Sequence, residues 1–170
     1  DGAQEAPENN RIELHNVSFA YEKEPVLRDV SLVFEEKQKV AIVGPSGAGK
    51  TTVANLLAHF WDVTGGSITL GGVDYRDLSL SALMSRISYV TQDTFLFNLS
   101  VMENIRLGDP TASDEQVMQA ARQAQCAEFI EALDDSYHTV VGNDGARLSA
   151  GQRQRIVIAR AILKNTPILI

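Results

Sequence analysis

A glycine-rich segment that follows a short apolar run constrains this chain more than any other feature. Residues 44–52 have the sequence G-P-S-G-A-G-K-T-T, which fits the pattern G-x-x-x-x-G-K-[ST] at every required position. The apolar run at residues 40–43 predicts a buried strand, and the residues after the glycines predict a helix that ends near Phe60. A strand, a glycine-rich loop and a helix in this order are the context in which the pattern indicates a phosphate-binding loop.

The residue types of the loop explain how it would hold phosphate. Glycines at positions 44, 47 and 49 allow the backbone to turn successive N–H groups toward one anion. The helix that begins near Lys50 adds the positive end of its dipole. The Lys50 ammonium can reach the β- and γ-phosphates, and the Thr51 hydroxyl can bind Mg²⁺. We therefore predict a site for a nucleoside triphosphate, and the alternative is a glycine-rich turn that fits the pattern by chance. The predicted phosphate-binding residues are Gly44, Pro45, Ser46, Gly47, Ala48, Gly49, Lys50, Thr51 and Thr52.

The composition narrows the class of protein and its partners. The chain has 170 residues, of which 44% are hydrophobic and 22% charged, as in an ordinary globular domain. Its formal net charge of −7 argues against broad contact with nucleic acid or anionic lipid, which calls for a basic surface. The single cysteine, Cys126, is predicted to be a small core residue. His15, His59 and His138 lack the spacing of metal ligands and are predicted to be structural or surface residues.

The apolar patterns predict isolated strands first and alternating strands and helices later. Alternation of apolar and polar residues predicts a strand at residues 12–19, and further strands are predicted at 30–34, 67–70, 87–90 and 168–170. The early strands indicate an antiparallel piece, whereas the later strand–helix alternation indicates a parallel sheet. The predicted fold class is therefore α/β.

Two capping boxes predict where the later helices begin. The pairs are Ser113 with Gln116 and Ser149 with Gln152. The first box predicts one long helix, because apolar residues keep helical spacing as far as Ile130. The second predicts a buried helix, because residues 156–163 leave little polar face.

Taken together, the motifs resemble the nucleotide-binding domain of ATP-binding cassette (ABC) transporters over about residues 12–170. Tyr21 lies where the family places an aromatic side chain that stacks on adenine, and residues 44–52 resemble the Walker A loop. Gln92 resembles the Q-loop glutamine, and residues 148–152, L-S-A-G-Q, resemble the family signature L-S-G-G-Q. The ordered set is specific, because only ABC proteins pair a Walker A loop with this signature.

The resemblance implies a P-loop NTPase (RecA-like) core with an N-terminal antiparallel β-subdomain and an inserted α-helical subdomain. The expected parts are a polar linker at 1–10, the β-subdomain with the first part of the ATP-binding core at 11–92, the α-helical subdomain at 93–148, and the signature helix with the start of the Walker B strand at 149–170. The C-terminal part of the family's domain, including the Walker B aspartate and the catalytic glutamate, would follow Ile170. The 170 residues alone are therefore expected not to hydrolyse ATP.

The same resemblance implies ATP and Mg²⁺ as ligands and assigns roles to individual residues. Gln92 is expected to be the catalytic residue of this chain, with its side-chain oxygen directed to Mg²⁺ or to the attacking water. Thr51 is the other expected metal ligand. Ser149, Gly151 and Gln152 are expected to complete the Walker A site of a second nucleotide-binding domain, so that ATP joins the two domains head to tail.

Each of these assignments has a purely structural alternative. Tyr21 could be a turn aromatic without a ligand, Gln92 a polar residue at a strand end, and Ser149 a helix cap and nothing more. Ala150 replaces the first glycine of the signature. Because alanine is compatible with the backbone conformation at the start of a helix, this replacement is expected to have a modest effect on the site.

Two segments resemble exporters whose membrane and nucleotide domains are fused. They are residues 91–105 and residues 141–145, although Asn143 stands where many such relatives have glutamate. The resemblance implies a transmembrane domain as partner, contacted by the segments from Gln92 to Phe97 and from Val141 to Gly145, and no nucleic acid. It also implies attachment to the cytoplasmic face of a cell membrane.

Three other classes of protein remain as alternatives. One is the ATPase subunit of an ABC importer. Another is an ABC ATPase that acts on DNA or ribosomes, although Lys50 and Ser149 are only 99 positions apart with no heptad array between them. The third is a P-loop GTPase or kinase, which would lack the N-K-x-D guanine motif and leave the signature unexplained.

Overall fold

The structure is a computed structural model that describes Pro7 and residues 9–170. The chain divides into two compact units, one containing the residues up to Ile87 together with Ile170, and the other Ser88–Leu169. The linker predicted at residues 1–10 lies mostly outside the described residues. Within the part of the chain that the structure describes, no helix combines the length and the apolar composition that crossing a membrane requires.

The first unit is built on a four-stranded antiparallel sheet. Its strands are β1 (Ile12–Ala20), β2 (Pro25–Phe34), β3 (Gly65–Leu70) and β4 (Val73–Asp74), in the spatial order β2-β1-β3-β4. Ile12 pairs with Phe34 on one side and with Leu70 on the other. The alternation in the sequence places the apolar side chains of β1 in the core, and the buried ones are Ile12, Leu14, Val17 and Phe19. The predicted antiparallel β-subdomain is confirmed.

A bulge in β1 explains one glycine of β3. The pairing of the two strands shifts between His15 and Ser18, where Asn16 has a positive φ of 48°. A Cβ on Gly66 would lie 2.3 Å from the carbonyl oxygen of His15. Only glycine therefore allows the two backbones to approach at this point.

The apolar run at residues 40–43 does not form the predicted strand. The segment has no regular secondary structure, and Val40, Ile42 and Val43 are exposed, Val43 to 86%. An apolar run becomes a strand only where neighbouring strands satisfy its backbone, and no strand of the described residues pairs with this run. The parallel sheet expected behind the glycine-rich loop is accordingly not developed in the described residues.

Two helices complete the first unit. Helix α1 (Lys50–Leu57) begins at the end of the glycine-rich loop and buries Thr52, Val53, Leu56 and Leu57. It ends before the predicted Phe60, because His59 adopts a left-handed conformation with φ 57°. Helix α2 (Leu80–Met84) begins after Ser79, whose hydroxyl accepts a hydrogen bond from the Ala82 N–H at 3.1 Å.

The second unit is mainly helical. It contains α3 (Val101–Arg106), α4 (Asp114–Gln123), α5 (Ala127–Glu131) and α6 (Ala150–Lys164). Helix α6 packs against α3 and α4. Its residues Ile156, Val157 and Ala159 are buried, but Ile158, Ile162 and Leu163 are only partly buried, so the prediction of a wholly buried helix is too strong. Two short strands, β5 (Ile87–Ser88) and β6 (Ile168–Leu169), form a two-stranded sheet.

The long helix predicted after Ser113 is broken into α4 and α5. Gln125 lies between them with a left-handed φ of 58°. The Arg155 guanidinium donates to the Gln125 carbonyl oxygen at 2.8 Å, which satisfies a backbone acceptor at the break. Apolar spacing continues through both helices, so periodicity alone does not reveal the break. Cys126 is fully buried there, as predicted, and burial raises the pKa of its thiol to about 11.

Candidate nucleotide-binding site

The glycine-rich loop uses left-handed backbone conformations at two of its glycines. Gly47 has φ 79° and Gly49 has φ 85°, which residues with a Cβ adopt only under strain. A Cβ on Gly49 would also lie 2.8 Å from the Leu27 Cδ2 atom. Because Gly49 is the N-cap of α1 and has no side chain, the first-turn N–H groups of the helix are open to an anion.

The two side chains predicted to handle phosphate and metal lie at the start of α1. The Lys50 Nζ atom donates to the carbonyl oxygens of Gly44 at 2.9 Å and Pro45 at 2.7 Å, so the ammonium lies against the loop that it is predicted to serve. The Thr51 side chain is exposed, whereas Thr52 is buried. The loop, the lysine and the threonine hydroxyl are therefore brought together as the sequence motif predicts.

Tyr21 lies beside this loop, directly after β1. The residue is 46% exposed, and its hydroxyl oxygen is 3.3 Å from the Thr52 Oγ1 atom in the first turn of α1. Residues 21 and 52 are far apart in sequence, and the sheet and the helix of the first unit bring them together. The structure thus places an exposed aromatic face near the predicted phosphate loop, where an adenine base could stack.

Gln92 belongs to the second unit. Strand β5 ends at Ser88, earlier than the predicted end at residue 90, and Gln92 lies in an irregular, exposed segment. The Thr91 hydroxyl donates to the Asp93 carbonyl oxygen across it, which curls the backbone around Gln92. The side chain of Gln92 is thus available at the surface of its unit.

The signature residues form the N-terminus of α6. The Ser149 hydroxyl accepts from the Gln152 N–H at 3.2 Å, and the Gln152 side-chain oxygen accepts from the Ser149 N–H at 2.9 Å, so the predicted capping box is formed. Ala150 occupies the first helical position without strain, as expected. A Cβ on Gly151 would meet no atom within 4 Å, and the exposed helix end is therefore open.

The two segments predicted to face a transmembrane domain are neighbours in the second unit. The Val141 N–H donates to the Leu99 carbonyl oxygen at 3.1 Å, and the Leu96 N–H donates to the Asp144 carboxylate at 3.4 Å. Next to them, the exposed rings of Phe95 and Phe97 contact each other edge to face at 4.9 Å. Residues 48 positions apart in sequence are thus in contact, and the two segments lie side by side.

Sequence reasoning missed the residue that holds this surface together. Asn104 is completely buried, and its side chain binds both the N–H and the carbonyl oxygen of Phe97 at 3.0 Å. The Arg160 guanidinium of α6 donates to the Asn104 carbonyl oxygen at 2.9 Å and to its side-chain oxygen at 3.2 Å, and burial lowers the pKa of Arg160. The available signals were a polar residue on an apolar helix face and the Ser100–Glu103 capping box before it.

His15 and His138 are exposed, and His59 is partly buried. The His59 Nε2 atom is 3.1 Å from the Asp62 carboxylate, and the His15 Nε2 atom is 3.8 Å from that of Glu13. Among the described residues, no three His, Cys, Asp or Glu side chains are grouped so that they could hold a metal ion.

Comparisons with known proteins identify the family of this chain. The profile of the ABC transporter family matches residues 27–170. The chain is 49% identical over 171 aligned positions to the ATP-dependent lipid A-core flippase of Syntrophus aciditrophicus (strain SB), covering 100% of this chain and 28% of that protein. It is 46% identical over 165 positions to the ATP-dependent lipid A-core flippase of Desulfotalea psychrophila (strain LSv54 / DSM 12343), covering 97% of this chain and 29% of that protein.

A solved structure has the same fold. A bacterial Atm1-family ABC exporter with ATP bound superposes with a TM-score of 0.93 at 38% identity, covering 99% of this chain and 30% of the exporter chain. The present chain therefore spans less than a third of the length of these relatives. The α/β fold with an antiparallel β-subdomain is that of an ABC ATPase domain, and the chain belongs to the ABC transporter family.

Proposed function

We propose that this chain binds ATP with Mg²⁺ and that, in the complete dimeric protein, it couples ATP hydrolysis to the export of a substrate across a membrane. The observation that carries the proposal is the contact between Tyr21 and Thr52, with their hydroxyl oxygens 3.3 Å apart. This contact supports a site in which one nucleotide reaches both the ring proposed to stack on the base and the loop proposed to hold the phosphates. A guanine-specific site would instead need groups that hydrogen-bond to the edge of the base. The face of an aromatic ring provides contact area and no such groups.

The residues of the loop fit a nucleotide polyphosphate with its metal ion. The left-handed Gly47 and Gly49 and the uncapped start of α1 present backbone N–H groups, and Lys50 adds a cation. The exposed Thr51 hydroxyl is the proposed metal ligand of the loop, and Gln92 the proposed second ligand. When bound, Mg²⁺ neutralises charge on the phosphates during phosphoryl transfer.

The signature helix is proposed to act on a second copy of the domain. Its N-terminus, with Ser149 and Gly151, is exposed. It therefore offers the positive end of the helix dipole and the Ser149 hydroxyl to an anion that approaches from outside the chain. The γ-phosphate held by the phosphate loop of a second nucleotide-binding domain is the proposed anion. Two such sites would close a head-to-tail dimer around two ATP molecules.

Export, rather than import or a soluble function, is favoured by the relatives. The similar proteins are named as flippases or as an exporter. The surface made by the segments from Gln92 to Phe97 and from Val141 to Gly145, with the exposed Phe95 and Phe97, is the proposed contact for a transmembrane domain. That contact would hold the chain at the cytoplasmic face of a membrane. The flippases are named for lipid A-core, whereas the Atm1-family exporter is named without a cargo, so the exported substrate is left open.

The test of ATP binding uses Lys50→Ala in the full-length protein, with binding measured by calorimetry. Removal of the charge-assisted contact to phosphate should weaken ATP–Mg²⁺ binding by about 1.5–3 kcal/mol. Lys39→Ala, which removes an exposed lysine just before the loop, is the matched control and should bind as the wild type does. A folded Lys50→Ala variant with unchanged ATP affinity would refute the site.

A further inference from the structure

The chain contains one tryptophan, Trp61, and none of the roles proposed above uses it. The indole is 51% exposed and lies in the first unit, with its ring centroid 5.5 Å from that of Tyr21 and the ring planes at 89°. Its place beside the predicted base-stacking ring gives this exposed residue a candidate function.

The ring of Tyr21 has few other supports. Tyr21 follows the last residue of β1 and begins an exposed bend, so its backbone is not held by a sheet partner. Phe19, which is buried in β1, contacts one part of the ring edge to face at 4.8 Å, and the hydroxyl oxygen lies near Thr52. Among the contacts described, Trp61 is therefore the one exposed ring that packs against Tyr21.

The position of Trp61 is itself well determined. After α1, the Phe60 N–H donates to the Asn55 carbonyl oxygen at 2.9 Å, so the chain turns back along the helix. The left-handed His59 makes this turn, and its ring packs edge to face on the buried Tyr75 at 5.6 Å. Helix α1 thus carries the phosphate loop at its N-terminus and, through this turn, places Trp61 against Tyr21.

We propose that Trp61 is a positioning residue for the nucleotide base. Its indole fixes the orientation of the Tyr21 ring before the nucleotide binds. Because the ring is already ordered, little affinity is lost in ordering it when the base stacks. The inference rests on the proposed function, because it assumes that Tyr21 stacks on the base. Aromatic pairs of this kind contribute enough to change an affinity about threefold to tenfold.

The test is a double-mutant cycle in the full-length protein, with wild type, Trp61→Ala, Tyr21→Ala and the double variant. ATP–Mg²⁺ is one ligand, and inorganic tripolyphosphate with Mg²⁺ is the other, because it fills the phosphate loop without a base. Trp61→Ala should weaken ATP binding about threefold to tenfold and leave tripolyphosphate binding unchanged. In the Tyr21→Ala background, Trp61→Ala should have no further effect. Trp61→Phe should restore most of the affinity, and Leu80→Ala, which removes another exposed apolar side chain of the same unit, should bind both ligands normally.

The outcomes separate this inference from the proposed function. Additive losses in the double variant would mean that Trp61 acts independently of Tyr21, and unchanged ATP affinity in Trp61→Ala would mean that it does not act at all. An equal loss for both ligands would show that the substitution only damages the phosphate loop. Each of these three results overturns the inference. In all of them the proposed function survives as long as Lys50→Ala still weakens both ligands.

Discussion

Tyr21 acts, in the site proposed here, through the face of its ring rather than through a hydrogen bond to the base. Tyr21→Ala in the full-length protein should therefore lose about 1–2 kcal/mol of ATP affinity, whereas Tyr21→Phe should keep most of it. The Tyr21 hydroxyl contacts the Thr52 side chain and not the base, so loss of this contact should change ATP affinity little. Titrations with ATP and GTP provide the measurement, and the two nucleotides should bind within a small factor of each other. Wild-type affinity in Tyr21→Ala would show that the ring does not touch the nucleotide.

Single residues also show where sequence reasoning stops. The motif locates Lys50 and Thr51, because the loop requires glycines and a lysine at fixed spacing. The surroundings of Tyr21 cannot be obtained this way, because Phe19, Thr52 and Trp61 meet its ring only after β1 and α1 have packed. The relevance of Trp61 is therefore a property of the folded unit and not of any local pattern.

Among the elements, α3 depends on a single buried amide. The Asn104 side-chain oxygen accepts from the Phe97 N–H at 3.0 Å and from the Arg160 guanidinium at 3.2 Å, so Asn104→Ala leaves both of these donors without that partner. The substitution should destabilise the second unit by about 1–3 kcal/mol. Hydrogen exchange read by mass spectrometry in the full-length protein should show faster exchange at residues 97–100.

The control for this prediction is Asn98→Ala, which removes an exposed asparagine from the same segment. It should leave both the stability and the exchange rates close to those of the wild type. If Asn104→Ala exchanged no faster than Asn98→Ala at residues 97–100, the amide would have no bracing role. Exchange that became faster throughout the unit, and no faster at residues 97–100 than elsewhere, would likewise contradict the prediction.

The elements differ in how far local sequence determines them. The Ser113 and Ser149 boxes predict the starts of α4 and α6 correctly, because a cap is a contact within one turn. The continuous helix through Gln125 and the strand at residues 40–43 were predicted wrongly, because the structure at both places depends on distant partners. Gln125 is held by Arg155, and residues 40–43 have no paired neighbour among the described strands.

For the whole molecule, the signature helix should control the closing of two domains. Ser149→Arg places a long cation at the positive end of α6 and fills the space proposed for the partner's phosphate. Spin labels attached at Glu131→Cys in each copy of the full-length dimer should approach on ATP binding in the wild type but not in Ser149→Arg. Cys126 should stay unlabelled, because it is buried and its pKa is raised to about 11.

Ser113→Arg is the matched control for domain closure, because Ser113 caps α4 with the same kind of box in the same unit. It removes the same kind of cap and adds the same cation at a helix end that has no proposed ligand. ATP should therefore still bring the labels together in this variant. Closure that persists in Ser149→Arg would exclude a role of the signature in joining the domains.

The capping box at Ser149 gives its hydroxyl group a direction. The oxygen accepts a hydrogen bond from the Gln152 N–H inside the helix, which leaves the hydroxyl proton to be donated outward. The Ser149 Oγ atom thus accepts a hydrogen bond from a backbone N–H of α6 and can donate one to an anion at the end of the helix. Because the box is already closed within the single chain, this donor is ordered before any partner is present. Encounter of two domains then needs no folding step at the signature, and its speed should be set by diffusion and orientation.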